Sequence, residues 1–195
     1  IWQDATDAGK TPPNNWISLF QGPAWNYYEN LNQWAMHLFS KKQMDLNWEN
    51  ENVRNSVYEM MRWWLDKGID GFRMDVINFI SKTPGLPYAN AFLGILTGYK
   101  GAEYYFYGPR LHEYLHEMRE KAFGDYDVYT VGECGGAGIE MDKMLTADYR
   151  KELDTVFNFD FLINQGHDKY DTFDYSLYKV MREFEKFQTR YTNHC

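Results

Sequence analysis

The chain has 195 residues, 44% of them hydrophobic and 18% aromatic, with a formal net charge of −8. That length supports one sizeable core and little more than one domain. The acidic balance, with no large Lys/Arg cluster, excludes a nucleic-acid partner. No run of about 18 or more apolar residues marks a membrane span, so no membrane partner is expected.

No secretory leader is visible. The two cysteines, Cys134 and Cys195, are too few and too far apart for a disulfide framework, which favours a reducing, cytoplasmic setting. The chain opens on Ile1 within IWQD and stops at Cys195 just past a helical pattern, so both ends read as cuts in a longer chain. Seven Trp residues suit a sugar cleft, where flat rings face C–H surfaces, and equally suit an ordinary aromatic core.

Residues 1–46 lack sustained periodicity and are dense in Trp, Tyr, Asn and Gly, with turn chemistry at Pro12-Pro13-Asn14-Asn15. They predict a loop-rich subdomain attached to something larger. From Asn50, an N-cap candidate, the positions Val53, Val57, Met60, Met61, Trp64 and Leu65 form one helical face, and Gly68 ends it. Ile69 to Val76 then alternates, with Phe72, Met74 and Val76 on one side and Gly71, Arg73 and Asp75 on the other. Residues 77–108 read as irregular. Pro109 at a first helical position opens the next helix, with Leu111, Leu115, Met118 and Ala122 inward and Gly124 closing it. Tyr126 to Glu133 predicts a strand, 139–151 a short helix, and Leu153 to Phe161 a further strand. The final helix carries Leu177, Val180, Met181, Phe184, Phe187 and Tyr191 as its apolar stripe.

Strands alternating with helices predict an α/β fold of parallel units with right-handed crossovers. A doubly wound sheet and a (β/α)8 barrel both fit. A whole barrel needs about 250 residues, so a barrel reading makes this a partial one.

Arg73 and Asp75 are two apart on a strand and leave the same face. They sit at its C-terminal end, where barrel enzymes hold catalytic groups, and Glu133 occupies the same place on the next strand. Two carboxylates facing one another across a substrate are the requirement for retaining glycoside cleavage, with a separation of about 5–5.5 Å. One attacks the anomeric carbon; the other protonates the leaving oxygen and later acts as base toward water. An arginine alongside supplies the positive charge that suits an anionic nucleophile. An Asp after a strand also serves as a helix N-cap, and an Arg–Asp pair also serves as a structural ion pair. Residue physics alone leaves both readings open.

The motifs carry the reading further. GIDGFRMDVINFISK (68–82) resembles the nucleophile strand of glycoside hydrolase family 13, the α-amylase superfamily, and YTVGE (129–133) resembles its acid/base strand. KKQMDLNW (41–48) is similar to the motif closing the barrel's inserted second domain, and NNWISLFQGPAWNYYE (14–29) resembles the part of that insert found in oligo-1,6-glucosidases and their relatives. The resemblance implies Asp75 as nucleophile, Glu133 as general acid/base and Arg73 as the residue orienting the nucleophile. It implies that 1–46 end the inserted domain B and that 47–195 run from the third barrel helix, through strands four to six, to the sixth helix. It also makes Phe20 a candidate wall of the sugar site, with a buried insert-domain Phe as the alternative, and links Val76 to α-1,6 preference. Met44 departs from the proline usual at its position in the oligo-1,6-glucosidases, and Cys134-Gly135-Gly136 falls where members vary.

The implied substrate is a short α-glucoside, with no cofactor and no metal. Transglycosylases or sucrose-isomerising relatives share the mechanism, and non-enzymatic transporter-associated homologues share the fold. A stable fragment that associates with itself to cover open strand edges is a further alternative. His112-Glu113-Tyr114-Leu115-His116 matches the zincin pattern H-E-x-x-H, but it lies on an outer helix with no third ligand in the sequence, so a chance match is expected. The 195 residues by themselves are expected to lack useful glucosidase activity. Steady release of nitrophenol from an α-glucoside by the purified chain would refute this.

Overall fold

A computed structural model describes residues 1–136, 138–157, 159 and 176–190. In chain order the elements are β1 (Trp2–Asp4), β2 (Trp25–Tyr28), β3 (Gln33–Met36), α1 (Glu51–Leu65), β4 (Gly71–Met74), α2 (Ala91–Thr97) and α3 (Ala102–Tyr105). There follow α4 (Leu111–Phe123), β5 (Tyr129–Glu133), α5 (Gly138–Thr146), β6 (Thr155–Phe157) and α6 (Leu177–Arg190). They group into two compact units, one of Ile1–Val57 with Phe79–Leu111, the other of Tyr58–Asn78 with the described residues from His112 onward.

The first unit holds an antiparallel sheet in the order β1-β3-β2. Its strands have only three or four residues, too short to print an alternation in the sequence. The expected loop-rich subdomain therefore contains a small sheet. The unit also extends beyond residue 46, and the reason is aromatic packing. Trp16, 1% exposed, stacks on Tyr104 with centroids 6.1 Å apart, and its indole N–H donates to the Pro87 carbonyl at 2.8 Å. Buried Asn14 accepts from the Trp25 indole at 2.8 Å and donates to the Leu86 carbonyl at 3.0 Å. The stretch 77–108, expected to be irregular, contains two short helices, of which α3 buries Ala102 and Tyr105 while α2 buries only Gly94. Lys82, 7% exposed, reaches Asp45 at 2.5 Å, so two of the recognised motifs meet in one nearly buried ion pair.

Helix α1 is capped as its sequence predicts. The Asn50 side chain accepts from the Asn52 N–H at 2.9 Å, and Gly68 adopts φ 89° just beyond the last turn. Its inward positions are Tyr58, Met61 and Leu65, whereas Met60 and Trp64 are exposed. Pro109 precedes the first residue of α4 rather than occupying it. Leu111, Leu115, Met118 and Ala122 are buried, as the periodicity predicts.

The second unit is built on the parallel sheet β4-β5-β6. Gly71 pairs with Tyr129, and a Cβ at Gly71 would lie 1.8 Å from the Tyr129 carbonyl oxygen. Only glycine admits the β5 backbone that close. The described strands are shorter than their predicted ranges; Asn158, Asp160 and Phe161 of the third lie outside the described residues, as do Tyr191 and Cys195. Along α6, Leu177, Met181 and Phe184 are 74%, 58% and 61% exposed, so the stripe expected to face inward is not buried. Among the described residues, no helix is long and apolar enough to cross a membrane.

At the N-terminal ends of β5 and β6 sits an ionic anchor. Arg119 of α4 grips Asp154 through two bonds of 2.9 and 3.1 Å, while Asp154 accepts from the Thr130 backbone N–H and hydroxyl at 2.8 and 2.7 Å. Burial pushes the Asp154 carboxyl up, but the hydrogen bonds from Arg119 and Thr130 outweigh it and hold the group below its ordinary range. A folded-state pKa below the unfolded one stabilises the fold fully above the unfolded value, and that stability is lost as pH falls from there through the folded-state value. Asp154→Asn should cost about 2 kcal/mol at neutral pH. The difference from wild type should shrink as pH drops below about 4. Urea titrations at pH 7 and pH 3.5 would check both; an equal difference at the two pH values would contradict the assignment.

Candidate active site

Strand β4 ends at Met74, so Asp75 is the first residue beyond it. The parallel register pairs Arg73 with Val131 and Met74 with Gly132; one step further it sets Asp75 opposite Glu133, the last residue of β5. Neighbouring strands are about 4.8 Å apart, and residues in register send their side chains to the same face. Two like charges so placed repel. Arg73 lies between them. One guanidinium nitrogen donates to Asp75 Oδ1 at 2.5 Å, and the other donates to Glu133 Oε2.

The exposure of this cluster argues against a structural role. Side-chain exposures are 48% for Arg73, 67% for Asp75 and 24% for Glu133. Solvated ion pairs contribute about 0–1 kcal/mol, too little to explain two acids forced together at a strand end. The same triad leaves both carboxylates open to a molecule arriving from solvent. No helix follows Asp75 directly; a short 3-10 turn at Ile77–Phe79 does.

Sequence reasoning missed two neighbours. Phe157 pairs in register with Glu133, and the Arg73 guanidinium stands 5.9 Å from its ring centroid, within cation–π range. Its signal was positional: it occupies on β6 the place that Glu133 occupies on β5. Asn78 is fully buried, and its amide donates to the Gly135 carbonyl at 3.3 Å. Nothing in local periodicity marks it, because the contact spans 57 residues.

Of the other expected residues, Val76 follows Asp75 with φ 38°. A β-branched side chain disfavours that left-handed region, at a cost of about 1–3 kcal/mol. Phe20 belongs to the first unit, where it is 64% exposed and meets Phe39 edge-on with centroids 5.6 Å apart. It is therefore not a buried core residue. Cys134 is buried directly behind Glu133, and burial, with the nearby Asp142 charge, pushes its thiol up to about 12. It stays protonated at neutral pH and is no nucleophile.

The histidines of the H-E-x-x-H match have other partners. His112 Nδ1 lies 2.7 Å from Glu152, which is 3% exposed, and His116 Nδ1 lies 3.1 Å from the Arg150 carbonyl. Among the described residues no group of three or more His, Cys, Asp or Glu is placed to hold a metal ion.

Comparison with known proteins agrees with this architecture. The family described as the alpha amylase catalytic domain matches residues 1–195. The oligo-1,6-glucosidase of Halalkalibacterium halodurans is 52% identical over 167 residues, covering 85% of this chain and 29% of that protein. The crystal structure of Bacillus licheniformis trehalose-6-phosphate hydrolase superposes with a TM-score of 0.87 at 41% identity, covering 98% of this chain and 33% of that one. A trehalulose synthase structure gives a TM-score of 0.87 at 37% identity, covering 97% of this chain and 33% of that one. The chain thus spans about a third of the length of the relatives it matches. With a matching family over its whole length and a parallel sheet that carries two acids at adjacent strand ends, the chain belongs to the alpha-amylase catalytic-domain family of glycoside hydrolases.

Proposed function

We propose that the chain is the central part of a retaining α-glucosidase acting on short α-glucosides. The observation that carries the reading is the single guanidinium of Arg73 bonded to both Asp75 and Glu133 at neighbouring strand ends. In this reading β4, β5 and β6 are the fourth to sixth strands of a (β/α)8 barrel, and residues 1–46 end an inserted domain. The likeness to barrel enzymes of the same family supports that assignment.

The mechanism follows from the placement of the acids. Asp75 attacks the anomeric carbon while Glu133 protonates the departing glycosidic oxygen, giving a glucosyl ester on Asp75. Glu133, now a carboxylate, removes a proton from water as it attacks the same carbon from the opposite side. The ester bond breaks, glucose leaves with retained configuration, and Asp75 is free again. Arg73 holds both groups in register and offsets their mutual repulsion. A glucosyl unit and a proton are all that move, so no cofactor enters. Val76 would favour α-1,6 links. The names of several relatives, oligo-1,6-glucosidases, support this choice of linkage.

A second reading keeps the chemistry and changes the acceptor from water to a sugar hydroxyl. The likeness to a trehalulose synthase favours it. Chromatography of the products from sucrose and from isomaltose separates the two.

In the whole protein, Asp75→Asn should lower kcat by more than about 10³-fold, and Glu133→Gln by about 10²–10⁴-fold. The Glu133 loss should be smaller for a dinitrophenyl α-glucoside, whose leaving group needs no proton. A variant at Asp75 that keeps a tenth of the wild-type turnover would sink the assignment. Val76→Thr should move the isomaltose-to-maltose ratio of kcat/KM toward maltose by roughly tenfold, a change of the size that one altered side-chain contact gives. An unchanged ratio would remove Val76 from the specificity site.

A further inference from the structure

The two reacting strand ends are joined by a buried amide. Asn78 lies on the turn that follows Asp75, and Gly135 lies on the turn that follows Glu133. The Asn78 Nδ2 donates to the Gly135 carbonyl at 3.3 Å from a side chain with no solvent exposure. The reverse orientation of the carboxamide would set oxygen against oxygen, so the carbonyl dictates which end faces it.

The other end of the same amide, Oδ1, is buried without a hydrogen-bond partner among the described residues. An unpaired buried acceptor opposes folding, and an apolar side chain of the same size would fill the space without that penalty. Packing alone therefore does not account for an amide here.

The backbone between Asp75 and Asn78 points the same way. Val76 sits at φ 38°, and a β-branched residue stays in that region only where its surroundings over-determine it. The two residues that follow it, Ile77 at 6% exposure and the fully buried Asn78, are held in place. Ile77 and Cys134 both pack against Gly132: a Cβ there would lie 3.2 Å from Ile77 Cγ2 and 3.2 Å from Cys134 Sγ. The turn after β4 and the turn after β5 are thus locked by apolar packing and by one directional bond.

We infer that Asn78 is a positioning residue: its bond to Gly135 couples the two turns and sets the separation of the Asp75 and Glu133 carboxylates. Its catalytic consequence rests on the glucosidase reading above, whereas its geometric consequence does not.

Two variants test it in the whole protein. Asn78→Asp keeps the size and removes the donor. Asn78→Leu keeps the burial, removes the orphaned acceptor and is the variant least prone to unfold. Crystal structures of wild type and Asn78→Leu should differ in carboxylate separation by about 0.5 Å or more, the tolerance of a productive site. On a nitrophenyl α-glucoside, kcat should fall about 10²-fold with KM changed less than about threefold. A role confined to stability would instead reduce the amount of folded protein and leave kcat per active site unchanged. An unchanged separation in Asn78→Leu overturns the inference whatever happens to activity. Should both variants fail to fold, hydrogen exchange of the wild-type Asn78 carboxamide in the full chain decides: slow exchange supports the bond, and exchange at the rate of exposed Asn side chains overturns it. If the separation changes while Asp75→Asn hydrolyses as fast as wild type, the positioning role stands and the glucosidase reading falls.

Discussion

The parallel pairing of β4 with β5 is the constraint on which the candidate site depends. Register in such a pair admits no half steps, since a slip of one residue turns every side chain to the other face. Gly71 takes part in setting it, because the Tyr129 carbonyl occupies the space where any side chain at that position would begin. Once Gly71 faces Tyr129, the remaining pairs follow, and Asp75 and Glu133 arrive opposite one another. The guanidinium that bridges them is a consequence of that register. Arg73 precedes Asp75 by one full strand repeat and so leaves the sheet on the same side.

The parts legible in the sequence were those governed by local rules. Asn50 and Gly68 bracket α1 because capping chemistry acts within a turn. The four inward residues of α4 are buried because a 3.6-residue period is visible over thirteen residues. Strand-end position, a local feature, made Arg73, Asp75 and Glu133 candidates, and the motif resemblance supplied the roles expected of them. The antiparallel sheet of the first unit was not legible, since its strands are too short to show a period. The Asn78–Gly135 bond and the stacking of Trp16 on Tyr104 are long-range contacts, which no single window of sequence contains.

The apolar stripe of α6 shows the converse. Its periodicity is real, yet Leu177, Met181 and Phe184 remain exposed. Periodicity reports which face is suited to burial; what covers that face is a separate matter of tertiary neighbours. The relatives are about three times as long as this chain.

Asp154 and its partners stand at the opposite ends of the strands from Asp75 and Glu133. The foot of the sheet is therefore clamped by charges that take no part in the proposed chemistry, while the rim carries groups that add little to folding. Such a division allows the rim to be rebuilt. The turns beyond β4 and β5 could be exchanged to suit other sugars without loosening the base on which they stand, which makes this segment a natural starting point for laboratory evolution of new specificities.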